Sequence, residues 1–493
     1  MVDLEVVSAL IFFGIVGLLI YRDRKNIEFN YGIVIKRWTR GKELIDVFVN
    51  RFRKFLPIVG NIGIVVGIIS GIIMAGLLVY FDAKGIPAIA PVLPSAGGVT
   101  VPGTVSIPFW YWLFAIFPLI FVHESMHAIF ARLEKIKIMS YGILLLLVLP
   151  IGAFVDPDME STKKLPSVKK LRIFSAGSLG NYLLALFVIL ILFLTKFDPY
   201  SASNGVIPSL LYKDSGVSFA NTLNDTPADS VHLSGIITEM DGVRISNYQD
   251  LRNFLYQTSP FTNIEIKTST GNFNLTTFEN AGVIQDGVAV CTNCSPSIDV
   301  NLTSVIIDHN RNVVEAGVLL VGSSRATGLI TNSSSIQLNN YSFYLESGST
   351  SASTNEVTIL VKNSQTQSEV QRLVIHFTIT QGISYLGISQ ASTVFRNKVF
   401  SNDIVPSWLT SAMTIWTNYF GILLIFNLGV ALVNMLPMVP FDGGFVFEDI
   451  FTRIFGRKRG KQVLMASTLA ILFLIIYGIY IFLTIQGFIR FLG

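Results

Sequence analysis

Three residues in the stretch FVHESMHAIF (121–130) have the types and spacing to do chemistry: His123, Glu124 and His127. On an α-helix, residues four apart stand one turn apart on the same face, so the two imidazoles can grip one metal ion. Zn²⁺ suits this donor set, and Glu124 can serve a water on the ion as general base. That chemistry is hydrolysis. With five histidines in 493 residues, a chance His-Glu-x-x-His is expected on the order of one time in a thousand. The competing reading is a pair of core histidines with an accidental glutamate. The setting weighs against it. The motif lies inside FWYWLFAIFPLIFVHESMHAIFARL (109–133), and ionisable groups in a membrane helix mark function by default.

The elements that must position these residues are membrane spans. Charged residues make up 14% of the chain, against about 25% in an ordinary soluble protein, and the mean hydropathy is +0.57. Apolar runs at 5–21, 57–81, 108–133, 173–195, 411–437 and 465–488 are each compatible with a span of roughly 20 residues. The first run lacks a basic flank and a small-residue cleavage site, so it reads as a retained helix and not a signal peptide. A seventh stretch, YGILLLLVLPIGAFV (141–155), is short and broken by Pro and Gly. It reads as a re-entrant loop, since irregular backbone at membrane depth must lie against protein or a wet cavity. Two cysteines exclude a disulfide-rich scaffold.

Loop charges set the orientation. Residues 22–54, the segment after the His-Glu helix and the stretch 453–461 are rich in Lys and Arg, which places all three in the cytoplasm. Six spans then put both termini outside, together with 196–406. The net charge of +4 says little, because the charges are segregated along the chain, and no nucleic-acid partner is expected.

A catalytic zinc usually has three protein ligands and an open position. His232, His309 and His376 all fall in the 196–406 segment, on the wrong side for the His123 helix. In NMLPMVPFDGG (434–444), Asp442 sits at the cytoplasmic end of the fifth span, the same predicted depth as the histidines. Its plain reading is a turn residue, because Asp-Gly is a common turn pair. Asp156, Asp158 and Glu160 are rival ligands in a more hydrophilic stretch.

Taken together, HESMH in one membrane helix and NMLPMVPFDGG in a late one resemble the site-2 protease family of intramembrane metalloproteases. LPIGAFVDPD (149–158) resembles that family's membrane-embedded β-loop, and SAGSLGN (175–181) its small-residue motif ending in Asn. The four motifs occur in the family's order, with Phe441 where the family usually has Leu before Asp-Gly. The resemblance implies a zinc ion held by His123, His127 and Asp442, with Glu124 as catalytic base. It also implies substrate handling by Asn434 and Pro437, although Asn434 equally suits an interhelical hydrogen bond. For Asn181, after Gly177 and Gly180, packing, substrate contact and transition-state stabilisation all remain open.

The 196–406 segment is of different material, rich in Ser, Thr and Asn with strand-like alternation. Residues 221–255 resemble a protease-type PDZ domain, with the TPAD helix start, a turn at Asp241-Gly242 and a helix capped by Asn247. GISYLGIS (382–389) looks like the domain's closing strand, so a β-rich insertion is expected between. Cys291 and Cys294 have the spacing of half a zinc site without a second half; a local disulfide is favoured over free thiols.

The expected molecule is therefore a polytopic α-helical membrane protein with about six transmembrane helices, a re-entrant β-loop and an extracytoplasmic β-rich PDZ-like domain carrying an insertion. The expected parts are 1–107 (first spans and basic loop), 108–195 (first half of the catalytic core), 196–280 (PDZ-like), 281–375 (insertion), 376–406 (closing strand and linker), 407–450 (second half of the core) and 451–493 (loop and last span). The expected function is a zinc endopeptidase acting on transmembrane protein substrates in the lipid bilayer. A catalytically degenerate membrane-anchored PDZ receptor is the alternative, and a metal transporter a third class.

Overall fold

The computed structural model describes residues 4–492 except 31, 40–41, 96–103, 201–203, 286, 323–324, 332–333, 347–355, 381 and 400–401. The chain forms two compact units, one of Met1–Leu192 with Asn418–Gly487 and one of Phe193–Thr417 with Phe488–Gly493.

The first unit is built mainly from α1 (Leu4–Arg22), β1 (Ile27–Asn30), β2 (Ile33–Trp38), α2 (Lys42–Phe52), α3 (Leu56–Asp82), α4 (Phe109–Leu133), β3 (Ile138–Leu146), β4 (Leu149–Pro157), most of α5 (Ser167–Thr195), the second part of α6 (Ser407–Val433), α7 (Asp442–Phe455) and most of α8 (Arg457–Leu492). Among the described residues, six helices are long and apolar enough to cross a membrane: α1, α3, α4, α5, α6 and the first part of α8. Their outward faces carry large apolar side chains such as Leu18, Ile72, Leu186 and Ile425, as a lipid-facing surface requires. This is a multi-pass membrane protein with a separate β-rich unit.

Three helix bounds differ from the apolar runs, each for a physical reason. α5 starts at Ser167, ahead of its apolar run, because its polar first turns are held by ion pairs. Lys169 and Arg172 bind the buried Glu134 at 2.8 and 3.0 Å, and Lys170 binds Asp449 at 2.5 Å. α6 stops at Val433, ahead of Pro437 and Pro440, which cannot continue a helix. The basic stretch read as a loop before the last span is helical, broken only where Gly456 adopts φ +80° and ends α7.

The basic segment 22–54, also read as a loop, is folded. β1 and β2 form a hairpin that joins β3 and β4 in one antiparallel sheet, order β1-β2-β3-β4. The stretch read as re-entrant is thus the β3–β4 hairpin, turning at Leu147-Val148, where the Leu147 N–H donates to the Gly32 carbonyl at 2.8 Å. Its Pro and Gly residues do not break it. Pro150 sits beside a register shift on the edge strand, where a missing N–H is tolerated. The Phe154 ring lies across Gly142, where a Cβ would come within 2.2 Å of it, and the Arg37 guanidinium stacks over that ring at 4.8 Å. This pins the hairpin's register.

The β unit contains a sheet in the order Asn272–Thr276, Asn263–Thr268, Ile237–Met240, Tyr212–Ser218, Ser392–Asn397. The helix Tyr248–Gln257 belongs to the same core, and Asn247 caps it by accepting from the Asp250 N–H at 2.9 Å. The closing strand of this sheet is Ser392–Asn397, not 382–389; the latter forms two short strands pairing with Phe278–Asn280 and Asn221–Thr222. Between them a second core, with Ile298, Val300, Val318, Phe343 and Ile359 fully buried, is enclosed by two further sheets. Cys291 and Cys294 form a disulfide within it.

Candidate metal centre

α4 carries the two histidines, and its position is set by a feature of its own sequence. Pro118 lacks an N–H, which leaves the Phe114 carbonyl without its helical donor. The Tyr419 hydroxyl of α6 donates to that carbonyl at 3.3 Å, so the break in α4 becomes a tie to α6. Beyond α6, residues 434–441 turn back sharply. The Gly443 N–H donates to the Asn434 carbonyl at 2.8 Å, and a Cβ at Gly443 would come within 2.2 Å of the Met435 carbonyl oxygen. The turn delivers Asp442 to the first residue of α7, not to the end of α6 as the sequence reading had it.

His123, His127 and Asp442 meet there. The two Nε2 atoms are 3.3 Å apart, and the Asp442 Oδ2 lies 3.2 Å from His123 Nε2 and 3.0 Å from His127 Nε2. Among the described residues these three form the one His/Cys/Asp/Glu group close enough to hold a metal ion. The spacing fits zinc. Ligand bonds of about 2.0–2.1 Å at the tetrahedral angle put ligand atoms about 3.3 Å apart.

The surroundings fit as well. The His127 Nδ1 lies 2.8 Å from the Ile173 carbonyl oxygen, so it carries the proton and leaves Nε2 a free lone pair. His123 Nδ1 faces the Asn181 side chain at 3.1 Å, while the Asn181 Oδ1 is buried with no partner. Turning that amide over sets Oδ1 on an Nδ1–H and frees His123 Nε2 in the same way. Gly177 lies beneath both rings, where a Cβ would be 2.4 Å from each Nε2. Only glycine leaves room at this point for the rings and an ion. Gly180 likewise admits Met126 of α4.

Asn434 is at the site: its Nδ2 donates to Asp442 Oδ2 at 2.8 Å and lies 3.1 Å from His123 Nε2. Pro437 lies in the 434–441 turn, and its carbonyl accepts from Ser467 of α8. The rival carboxylates are elsewhere. Asp156 faces Arg37, and Asp158 caps the short helix Met159–Lys163. Glu124 lies against the sheet, its carboxylate accepting the Val155 N–H of β4 at 2.8 Å. It lines an apolar cleft of about 440 Å³ between α4 and β4, walled by Ile116, Phe117, Ile120 and Phe121 and by Gly152 and Ala153.

The sequence reading missed the Val155 N–H, the Ile173 carbonyl and the sheet's outer half. Backbone groups carry no residue signature. The β1–β2 hairpin had one signal, a Tyr-Gly pair between IEFN and IVIKRW, with Gly32 at φ +83°.

Six helices long and apolar enough to cross a membrane, together with a partly buried His-His-carboxylate group, are what a membrane-embedded metallohydrolase scaffold requires. The model of peptidase family M50 matches residues 111–477, and the chain belongs to that family, the one that contains the site-2 proteases. It is also 30% identical over 267 residues to an uncharacterized protein of Methanocaldococcus jannaschii, covering 53% of this chain and 67% of that relative.

Proposed function

We propose that this protein is an intramembrane zinc endopeptidase that cuts transmembrane segments of membrane proteins close to the cytoplasmic face. The observation that carries this reading is the convergence of three ligand atoms, 3.0–3.3 Å apart, while Glu124, the residue next to His123, lines an apolar cleft. His123, His127 and Asp442 would hold the ion. When bound, zinc supplies acidity to a water and polarises the scissile carbonyl. Glu124 takes the water's proton as oxygen attacks the carbonyl carbon, and passes it to the leaving amine as the C–N bond breaks. Atoms balance: one water is consumed, and a carboxyl and an amino terminus are released.

A helical substrate shields its peptide bonds, so it must unwind into an extended strand. β4 is an edge strand facing the cleft, and a strand can be added to such an edge. We read the β3–β4 hairpin as re-entrant for this reason. The positive-inside rule places the site near the cytoplasm and the β unit outside, where a PDZ-like fold acts as a size filter or sensor.

The test is Glu124→Ala, reconstituted with a single-span substrate. Zinc content stays at one per chain while cleavage is abolished. Cleavage at the wild-type rate removes Glu124 from the mechanism, and absence of zinc from the wild-type protein favours a degenerate receptor.

A further inference from the structure

The register of β3 and β4 decides which way each backbone group of β4 points. Tyr141 faces Val155, Gly142 faces Phe154, and Ile143 faces Ala153. In an antiparallel pair, alternate residues bond to the neighbour and the residues between them point away. The Val155 N–H points away from β3, since it donates to Glu124. Ala153, two residues back, therefore presents its N–H and carbonyl on the same outer edge. Val155 and Ala153 stand roughly 7 Å apart along that edge, and both line the cleft.

We infer that the Val155 N–H is a positioning group that holds the base, and that by occupying this donor Glu124 ends the substrate ladder on β4 at Ala153. The inference rests on the endopeptidase reading and adds a register to it. A substrate strand pairs with the outer N–H and carbonyl of Ala153. Its next peptide group, which would otherwise accept from Val155, finds that donor already taken. It is left unpaired beside the Glu124 carboxylate, free of the ladder and able to change geometry at its carbonyl carbon. The same contact restricts the carboxylate to one orientation. Substrate side chains next to the paired residue enter the cleft against Ile116, Phe117, Ile120 and Phe121, so large apolar side chains are selected there.

Proline tests this cleanly, because an edge strand tolerates it where the N–H faces outward. In full-length protein in proteoliposomes, with a labelled single-span peptide as substrate, Val155→Pro lowers kcat by roughly 100-fold through loss of base orientation. Its KM is unchanged. Ala153→Pro removes a substrate hydrogen bond and raises KM about fivefold with kcat retained. Both variants keep their zinc. The inference is overturned if both substitutions move the same parameter, or if Val155→Pro leaves kcat unaltered. Should Val155→Pro lose its zinc, amide hydrogen exchange on the wild-type protein decides instead. The Val155 amide is protected with or without the peptide under zinc chelation, and the Ala153 amide only with it. A Val155 amide that gains protection only with peptide sinks the inference. Failure of wild-type protein to cut any membrane substrate sinks the endopeptidase reading separately.

Discussion

In the helical unit, His123, His127, Asn181, Asn434 and Asp442 crowd within hydrogen-bond reach of one another. In the β unit, buried polar groups are matched in small, closed sets. Tyr385 donates to Glu315, Arg311 and the Gly382 N–H serve Glu279, and Ser342 pairs with Ser364. The leftovers differ too. Among the described residues, the buried side-chain polar atoms without a partner belong to Asp82, Tyr141, Ser178, Asn181 and Asn427, all in the helical unit. Burying an unpaired polar group is unfavourable, and more so where no water can reach it. A fold that needed polar groups only for packing would satisfy them as the β unit does. Convergence with unused hydrogen-bonding capacity marks a site that expects something more; closed pairs mark architecture.

Two glycines allow a direct contrast. Gly177→Ala drives a methyl group to 2.4 Å from both Nε2 atoms, and rigid rings on two helical turns cannot move aside. Zinc affinity should fall more than about 100-fold, beyond what loss of an outer hydrogen bond does, and cleavage with it. Gly317→Ala in the β unit meets the Ser304 and Thr303 hydroxyls at 2.4 and 2.7 Å. It should cost about 1–3 kcal/mol of β-unit stability and leave zinc content alone. Metal analysis and thermal unfolding of both variants check this. Loss of zinc from Gly317→Ala would undo the contrast.

A smaller effect on the same centre is expected from Asn181→Ala. If Asn181 fixes the His123 tautomer through Oδ1, its loss weakens zinc binding by roughly 10–100-fold, while Asn181→Asp, which keeps an acceptor there, restores most of it. Competition with a zinc chelator reads this directly. Equal affinity for wild type and Asn181→Ala would reduce the residue to packing.

Much of the centre was legible because its chemistry sits in side chains at fixed helical spacing. His123 and His127 announced themselves, and Asp442 was a candidate from its expected depth and became the named ligand through the family resemblance, with Asp156, Asp158 and Glu160 as rivals. What stayed hidden depended on the chain's path. The turn at 434–441 moves Asp442 off α6 and onto α7. The donor to Glu124 is a backbone N–H, so Val155 reads as any apolar strand residue. Tyr419 was one aromatic among many until Pro118 left a carbonyl for it. In the β unit the helix cap at Asn247 was readable as a local signal. The closing strand was not, because sequence likeness at 382–389 is outweighed by pairing between Ser392–Asn397 and Tyr212–Ser218, a contact far apart in sequence.

The smallest expected effect lies wholly in the β unit and bears on whether its buried pairs are architecture alone. Burial raises the Glu315 carboxyl above its ordinary value of 4.5, and the Tyr385 hydrogen bond pulls it only part of the way back. A carboxyl with a raised folded pKa holds its proton more tightly in the folded state. Its contribution to stability is complete below pH 4.5 and is lost as pH rises through the folded value. The β unit should therefore unfold at a lower temperature at pH 7 than at pH 4 through this group, and Glu315→Gln should flatten the dependence. Tyr385→Phe removes the donor that offsets burial. Its cost, about 1–3 kcal/mol, should be larger at pH 7, where the carboxylate needs the hydrogen bond, than at pH 4, where the neutral acid needs it less. Neither variant should change zinc content. A Tyr385→Phe penalty independent of pH would mean that the hydroxyl serves packing, with Glu315 protonated throughout.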